Sequence, residues 1–298
     1  DKSLELFRSM TGQSNAMQGI RRLIEQVAKS DASVLILGES GTGKELVSRA
    51  LHQRSQRRNG AFVVFDCGAV AANLVESELF GHVRGAFSGA TRDRAGRFVT
   101  ANHGTILLDE VSEMHPLLQA KLLRAIQEKK ITRIGSNDEV TVDVRILATS
   151  NRNLEDSVKK GEFREDLYYR LNVLELHLPP LRDRGNDVIE LAEFMLQRSC
   201  EKMNRGSMTL SPSSRRAISQ YRWPGNVREL ENAIERAVIL ADGDEITPEN
   251  MAIDVSPDPF VPQTLKENLI EPEASAHNEV NQGDLSLDDY FMHFVLEN

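Results

Sequence analysis

Lys44 is the one cation of the run Gly38-Glu39-Ser40-Gly41-Thr42-Gly43-Lys44-Glu45, whose glycines and lysine are spaced to fold around phosphate oxygens. Glycines let consecutive backbone N–H groups curve inward, a following helix N-terminus supplies further donors, and the lysine brings a point charge. Glu45 stands where the general pattern has a hydroxyl for Mg²⁺, and Leu46 opens an amphipathic stretch to Leu51. A second chemical centre is Asp109-Glu110, directly after the apolar run Ile106-Leu107-Leu108. An Asp at a strand end can hold Mg²⁺, while the adjacent Glu can orient or deprotonate an attacking water. Asn151, after Leu147-Ala148-Thr149-Ser150, could place its amide near a γ-phosphate or simply serve a turn. Arg164 and Arg170 lie in Phe163 to Leu171, where each could reach a phosphate, hold an interface or pair with Glu165 and Asp166. Arg228 could reach the nucleotide from a second domain or pair with Glu231 or Glu235.

These side chains need strands to carry them. Val34 to Leu37, Phe62 to Phe65, Thr105 to Leu108, Val144 to Ala148 and Val173 to Leu178 are candidate strands, with helical patterns between them and a first helix over Ala16 to Lys29. That alternation predicts an α/β fold with a mostly parallel sheet covered on both faces. Ligands in such folds sit beyond the carboxyl ends of strands, where the glycine loop, Asp66, Asp109-Glu110 and Ser150-Asn151 all fall. Pro179-Pro180 marks a boundary, followed by helical patterns over Asp187 to Asn204, Pro212 to Gln220 and Val227 to Leu240, with Asn226 as N-cap of the third. The expected organisation is an α/β domain over 1–180, a small helical domain over 181–253, an acidic linker over 254–284, and over 285–298 the first part of another domain or a helix packed back on the body.

Composition narrows the classes. The 298 residues carry a net charge of -9, which gives no global footprint for nucleic acid. Two cysteines, Cys67 and Cys200, suggest neither a disulfide framework nor a zinc site, and no apolar run approaches a membrane span. A cytoplasmic protein is expected, and the start at Asp1 suggests an excised fragment.

Together Gly38 to Glu45, Ile106 to Glu110, Phe163 to Leu171 and Trp223 to Leu230 resemble the AAA+ domain of bacterial enhancer-binding proteins, activators of RNA polymerase carrying sigma-54. The most specific stretch is Glu78 to Ala90, with the small-residue tip Gly85-Ala86-Phe87-Ser88-Gly89-Ala90, and the resemblance covers about residues 10 to 253. It implies a P-loop AAA+ three-layer sandwich with a helical lid, hydrolysing ATP with Mg²⁺ in a homo-oligomeric ring, a hexamer or heptamer. It implies Lys44 on the phosphates, Asp109 serving Mg²⁺, Glu110 activating water and Asn151 as a first sensor. Arg164 and Arg170 would be supplied by a neighbouring subunit, and Arg228 would be a second sensor. Phe87 would touch the sigma factor, flexed by Gly85, Gly89 and Ala90, and the loop from Arg133 to Glu139 would move with it. Enhancer DNA would be bound by a domain beyond this chain, and an N-terminal receiver, as in two-component systems, is common in the family. A Glu at position 45 is usual in the family, whereas two positions depart: Ser88 replaces Thr, and Asp66 replaces the Asn that pairs with the catalytic Glu. A carboxylate at 66 near Glu110 and Asp109 calls for a cation, a shared proton or another geometry; the expectation is that Asp66 points elsewhere or is held by Lys or Arg. Rival readings are another AAA+ remodeller or unfoldase, a scaffold that binds nucleotide without hydrolysis, and a DNA-binding fragment, the last disfavoured by the acidic tail.

Overall fold

The structure is a computed structural model and describes residues 12, 14–68 and 72–253. The expected linker over 254–284 and the segment 285–298 lie outside the described residues.

Five strands form the central sheet: β1 (Val34–Leu37), β2 (Phe62–Asp66), β3 (Thr105–Asp109), β4 (Arg145–Ser150) and β5 (Leu174–His177). All pair in parallel, in the order β2-β3-β4-β1-β5. The continuous aliphatic runs of β1, β3 and β4 fit strands buried on both faces, while β5 alternates as an edge strand. Alternation sorts the side chains: Leu35, Ile106, Leu108, Ile146 and Ala148 enter one core, while Val34, Ile36, Leu107, Leu147 and Leu176 enter the other. The second core is closed by α1 (Asn15–Val27) and α2 (Lys44–Gln53), whose buried residues include Met17, Ile20, Ile24, Val47 and Leu51. The first is closed by α3 (Ala72–Phe80), α4 (Arg97–Thr100), α5 (Pro116–Glu128), α6 (Leu154–Lys159) and α7 (Glu165–Leu171). Arg145, buried at the start of β4, donates to Val27 O and Ala28 O and so terminates α1.

A separate core belongs to the helical region, built from α8 (Asp187–Lys202), α9 (Pro212–Gln220), α10 (Asn226–Leu240) and α11 (Pro248–Met251). Trp223 is fully buried there and donates its indole N–H to Ile218 O at 2.9 Å. Asn226 is not the N-cap that its place before an apolar pattern suggests: Gly225 occupies that position, and Asn226 is the first helical residue, at φ 54°. Its amide is spent on the glycine loop, as described below.

Two short antiparallel ribbons project from the α/β body. Gly81–His82 pairs with Arg94–Ala95, framing the 85–90 tip, and Lys130–Thr132 pairs with Glu139–Thr141, framing the 133–139 loop. The two are tied together, since Ile134 N–H donates to Gly81 O at 2.9 Å and Val83 N–H donates to Ile134 O at 3.0 Å. Among the described residues, no helix is long and apolar enough to cross a membrane.

Candidate functional site

Parallel pairing places the carboxyl ends of β3, β4 and β1 side by side, and the glycine loop, Asp109-Glu110 and Asn151 meet there. Gly41 and Gly43 have φ of 77° and 100°, and a Cβ on Gly41 would lie 2.3 Å from Gly225 O. Glycine is therefore required at 41 both by conformation and by the close approach of the helical region. Gly38 begins the turn, and Thr42 is buried with its hydroxyl donating to Glu39 O at 2.8 Å. Lys44 opens α2 and is buried. Its Nζ donates to Gly38 O at 2.9 Å and Glu39 O at 3.3 Å, and pairs with Glu110 Oε1 at 3.3 Å.

Glu110 sits immediately after β3 in the left-handed region, at φ 51° and ψ 52°. Its second carboxylate oxygen accepts Asn151 N–H at 3.0 Å. Asn151 thus meets the acid through its backbone, and the residue itself is exposed. Asp109, half-buried, accepts the Thr149 hydroxyl at 2.5 Å. Asp66 pairs in register with Asp109 across β2 and β3, and its Oδ1 accepts Gly68 N–H at 2.9 Å, turning that oxygen back along its own chain. Burial, reinforced by Asp66, Asp109 and Glu110 in that order, pushes the neighbouring Cys67 thiol far up, so it stays protonated and unreactive.

Glu45 points along the exposed face of α2 to Arg49, at 2.7 Å, and Leu46 is half-buried behind the loop. Asp109, an oxygen donor at a strand end beside the glycine loop, is of the type that would hold Mg²⁺ together with a bound phosphate.

The helical region grips the glycine loop by contacts that spacing alone did not reveal. Asn226 Nδ2 donates to Ser40 O at 3.0 Å and Glu39 Oε2 at 3.1 Å, while its Oδ1 accepts Leu181 N–H at 2.8 Å. Arg182 forks onto Glu39 at 2.6 and 2.9 Å, and with Asn226 it pulls the Glu39 carboxyl down to about 2. Arg184, buried, donates to Thr42 O at 2.8 Å and to Pro179 O. Arg228 reaches Ser40 Oγ at 3.2 Å, and Val227 N–H donates to Gly41 O at 3.0 Å. The sequence signal for the two missed arginines was available: Leu181-Arg182-Asp183-Arg184 follows the Pro179-Pro180 boundary, where the hinge must turn back over the loop.

Arg164 and Arg170 take different positions. Arg164 precedes α7, exposed, with its guanidinium forked on Asp166 at 2.7 and 3.0 Å. Arg170 lines a groove with Asp31, Ser33, Asp143 and Val144, at the amino ends of β1 and β4. Four residues of β1, at about 3.3 Å each, separate that groove from the glycine loop of the same chain. At the tip, Phe87 is exposed to 39% and sets its ring edge-on to His82, with centroids 5.0 Å apart. Gly85 (φ 81°) and Gly89 (φ 104°) have open space around them, and Ala86 and Ser88 complete the turn. Ala90 is not a flexible element: it is buried, its N–H donates to Phe87 O and its carbonyl accepts Gly85 N–H.

Comparison with known proteins places these features. Residues 10–177 match the Sigma-54 interaction domain and residues 182–266 the AAA+ ATPase lid domain. The chain is 46% identical to the transcriptional regulatory protein ZraR of Klebsiella oxytoca, over 91% of this chain and 61% of that protein. It is 52% identical to FlbD of Caulobacter vibrioides, over 80% and 52% respectively. NtrX from Brucella abortus, solved in complex with ADP, superposes with a TM-score of 0.76 at 35% identity, over 80% of this chain and 53% of NtrX. The chain spans between half and about three-fifths of the length of these relatives.

Proposed function

From the premise that the chain belongs to the sigma-54 interaction domain family, with a P-loop AAA+ fold and a helical lid, we propose that it hydrolyses ATP in a homo-oligomeric ring and uses the cycle to remodel the sigma-54 RNA polymerase closed promoter complex. The observation that carries this reading is the convergence of Lys44, Glu110, Asp109 and Asn151 on one strand-end cleft, with Arg228 of the lid on the rim of its glycine loop. The glycine loop from Gly38 to Leu46 binds the phosphates through its backbone and Lys44. Asp109 would hold Mg²⁺, which when bound neutralises phosphate charge. Glu110 takes the proton of a water that attacks the γ-phosphorus, and the bond to the ADP oxygen breaks.

The ion pair between Lys44 and Glu110 gives this chemistry a built-in order. Polyanionic phosphate competes for the Lys44 ammonium, and its departure from Glu110 Oε1 leaves that oxygen as a base. Arg170 serves the site of a neighbouring subunit, because it lies at the opposite end of the strands from its own glycine loop. Arg164 does so by exchanging Asp166 for phosphate, an exposed pair that solvent screens. Gly85 to Ala90 present Phe87 to the sigma factor, and the bonds through Ile134 carry motion of the 133–139 loop to that tip. The work is done in the cytoplasm, and enhancer DNA is engaged by another domain of the full-length protein.

ATP turnover measured across a protein-concentration series, beside Glu110→Gln and Arg164→Ala, tests this reading. Turnover that rises cooperatively with concentration and is lost in both variants is expected. Binding of sigma-54 in the presence of a transition-state mimic should then require Phe87. Turnover independent of concentration, or surviving Glu110→Gln, defeats the ring-completed mechanism; nucleotide binding without turnover would favour the scaffold reading.

A further inference from the structure

Thr149 stands outside every motif that marks the site, yet it touches both acids. It is fully buried on β4, and its hydroxyl donates to Asp109 Oδ1 while accepting Glu110 N–H at 2.9 Å. These roles cannot exchange, because a backbone N–H only donates and an ionised carboxylate only accepts. One proton and one lone pair are therefore committed, and the hydroxyl has a single orientation. The next hydroxyl along, that of Ser150, is engaged away from the acids, accepting Arg152 N–H and donating to Arg152 O.

The consequence falls on Glu110. Left-handed backbone is costly for a residue with a side chain and persists where the surroundings impose it. The bond from Glu110 N–H to Thr149 is such a constraint, and the resulting turn carries the carboxylate to Lys44 and Asn151. On the Asp109 side, the same hydroxyl occupies Oδ1 and so fixes the carboxylate relative to the strand end. We infer that Thr149 is a positioning residue of the hydrolytic site: its hydroxyl orients Asp109 toward Mg²⁺ and locks Glu110 in the turn from which it acts on water. This inference rests on the ATP-hydrolysis reading for its second half; the hold on Asp109 concerns metal-assisted binding alone.

The deciding experiment compares wild type with Thr149→Val, which keeps the branched shape without the hydroxyl, and Thr149→Ser, which keeps the hydroxyl. Steady-state kcat and KM are measured for each, together with ATP affinity by calorimetry with and without Mg²⁺, and the thermal midpoint. In Thr149→Val, kcat should fall by about tenfold or more, as expected for a displaced general base, while metal-free ATP affinity stays within about threefold. The gain in affinity on adding Mg²⁺ should shrink, and Thr149→Ser should recover both properties. A Thr149→Val protein with kcat within about twofold of wild type and an unchanged Mg²⁺ gain overturns the inference, as does Thr149→Ser failing to rescue. If wild type itself shows no turnover, the hydrolysis reading fails, and the Mg²⁺ gain still decides the hold on Asp109. Should Thr149→Val fail to fold, Thr149→Ala supplies the same comparison against Thr149→Ser.

Discussion

Replacing Asn226 by alanine removes the side chain that joins the lid to the glycine loop, and the structure sets the size of the effect. Asn226 is fully buried at φ 54°, with bonds from Leu181 N–H at 2.8 Å, to Ser40 O at 3.0 Å and to Glu39 Oε2 at 3.1 Å. The main loss is the Leu181 N–H, left buried without that partner, at about 1–3 kcal/mol. Glu39 keeps Arg182, and Ser40 is exposed enough for water to replace the amide. Alanine held at that positive φ adds roughly 1–2 kcal/mol. The sum is about 3 kcal/mol, or roughly 6–12 °C in midpoint for a body of this size. Asn226→Gly separates the terms, since it loses the same bonds but tolerates the backbone, and should be the milder by about 1 kcal/mol. Urea unfolding followed by fluorescence reads this out directly, because the chain has a single tryptophan, Trp223, buried in the lid beside the junction. Asn226→Ala within about 0.5 kcal/mol of wild type, the scatter of ordinary surface substitutions, would refute the reasoning. So would Asn226→Gly being as damaging as Asn226→Ala, which would remove the backbone contribution.

Two further outcomes follow from the same geometry. The Glu39 carboxyl, held at about 2 by Arg182 and Asn226, contributes stability that is full above its ordinary value of 4.5 and is lost as pH falls toward 2; because the pair is more than a third exposed, about 1 kcal/mol remains after solvent screening. The stability gap between wild type and Glu39→Gln should therefore close over that pH range, and a constant gap would show that Glu39 acts through packing rather than charge. If, as proposed, Arg170 of one subunit completes the cleft of another, Lys44→Ala and Arg170→Ala should each lack ATP turnover alone while an equimolar mixture regains a measurable fraction; a mixture as inactive as its components would place Arg170 outside the site.

The elements were legible because the signals were local. Short runs of four to six mostly apolar residues between helical periodicities gave the five strands of the sheet, and their shared parallel direction put the polar residues that follow them on one edge. Boundaries drifted by one or two residues, as at β4, which extends to Ser150. The chemistry carried by glycines and acids was equally visible, since a loop that cradles phosphate must be contiguous in sequence. The N-cap reading of Asn226 failed for an instructive reason. A cap is judged from neighbours three residues away, but the Asn226 amide is satisfied by Glu39, 187 positions distant. The reading of Ala90 as flexible failed similarly: small size permits mobility, and here it instead lets the residue bury itself at the base of the tip.

Much of what escaped the sequence shares a physical character. Thr149, Arg184 and Arg145 each act on backbone groups: Glu110 N–H, Thr42 O and the last carbonyls of α1. A backbone group carries no residue-type signature, so nothing at the partner position announces the contact. Arg184 and Thr42 are separated by 142 positions, and any residue at 42 would offer the same carbonyl. Side chains that meet a ligand behave differently, because the ligand is fixed and the types that suit it are few. The motif therefore records which groups suit the proposed nucleotide, and the fold alone records which groups aim them. In this chain the aiming falls to one buried hydroxyl for the two acids and to a lid arginine and asparagine for the glycine loop. Substituting those positions should separate positioning from binding, with nucleotide affinity following the lid contacts and kcat following Thr149.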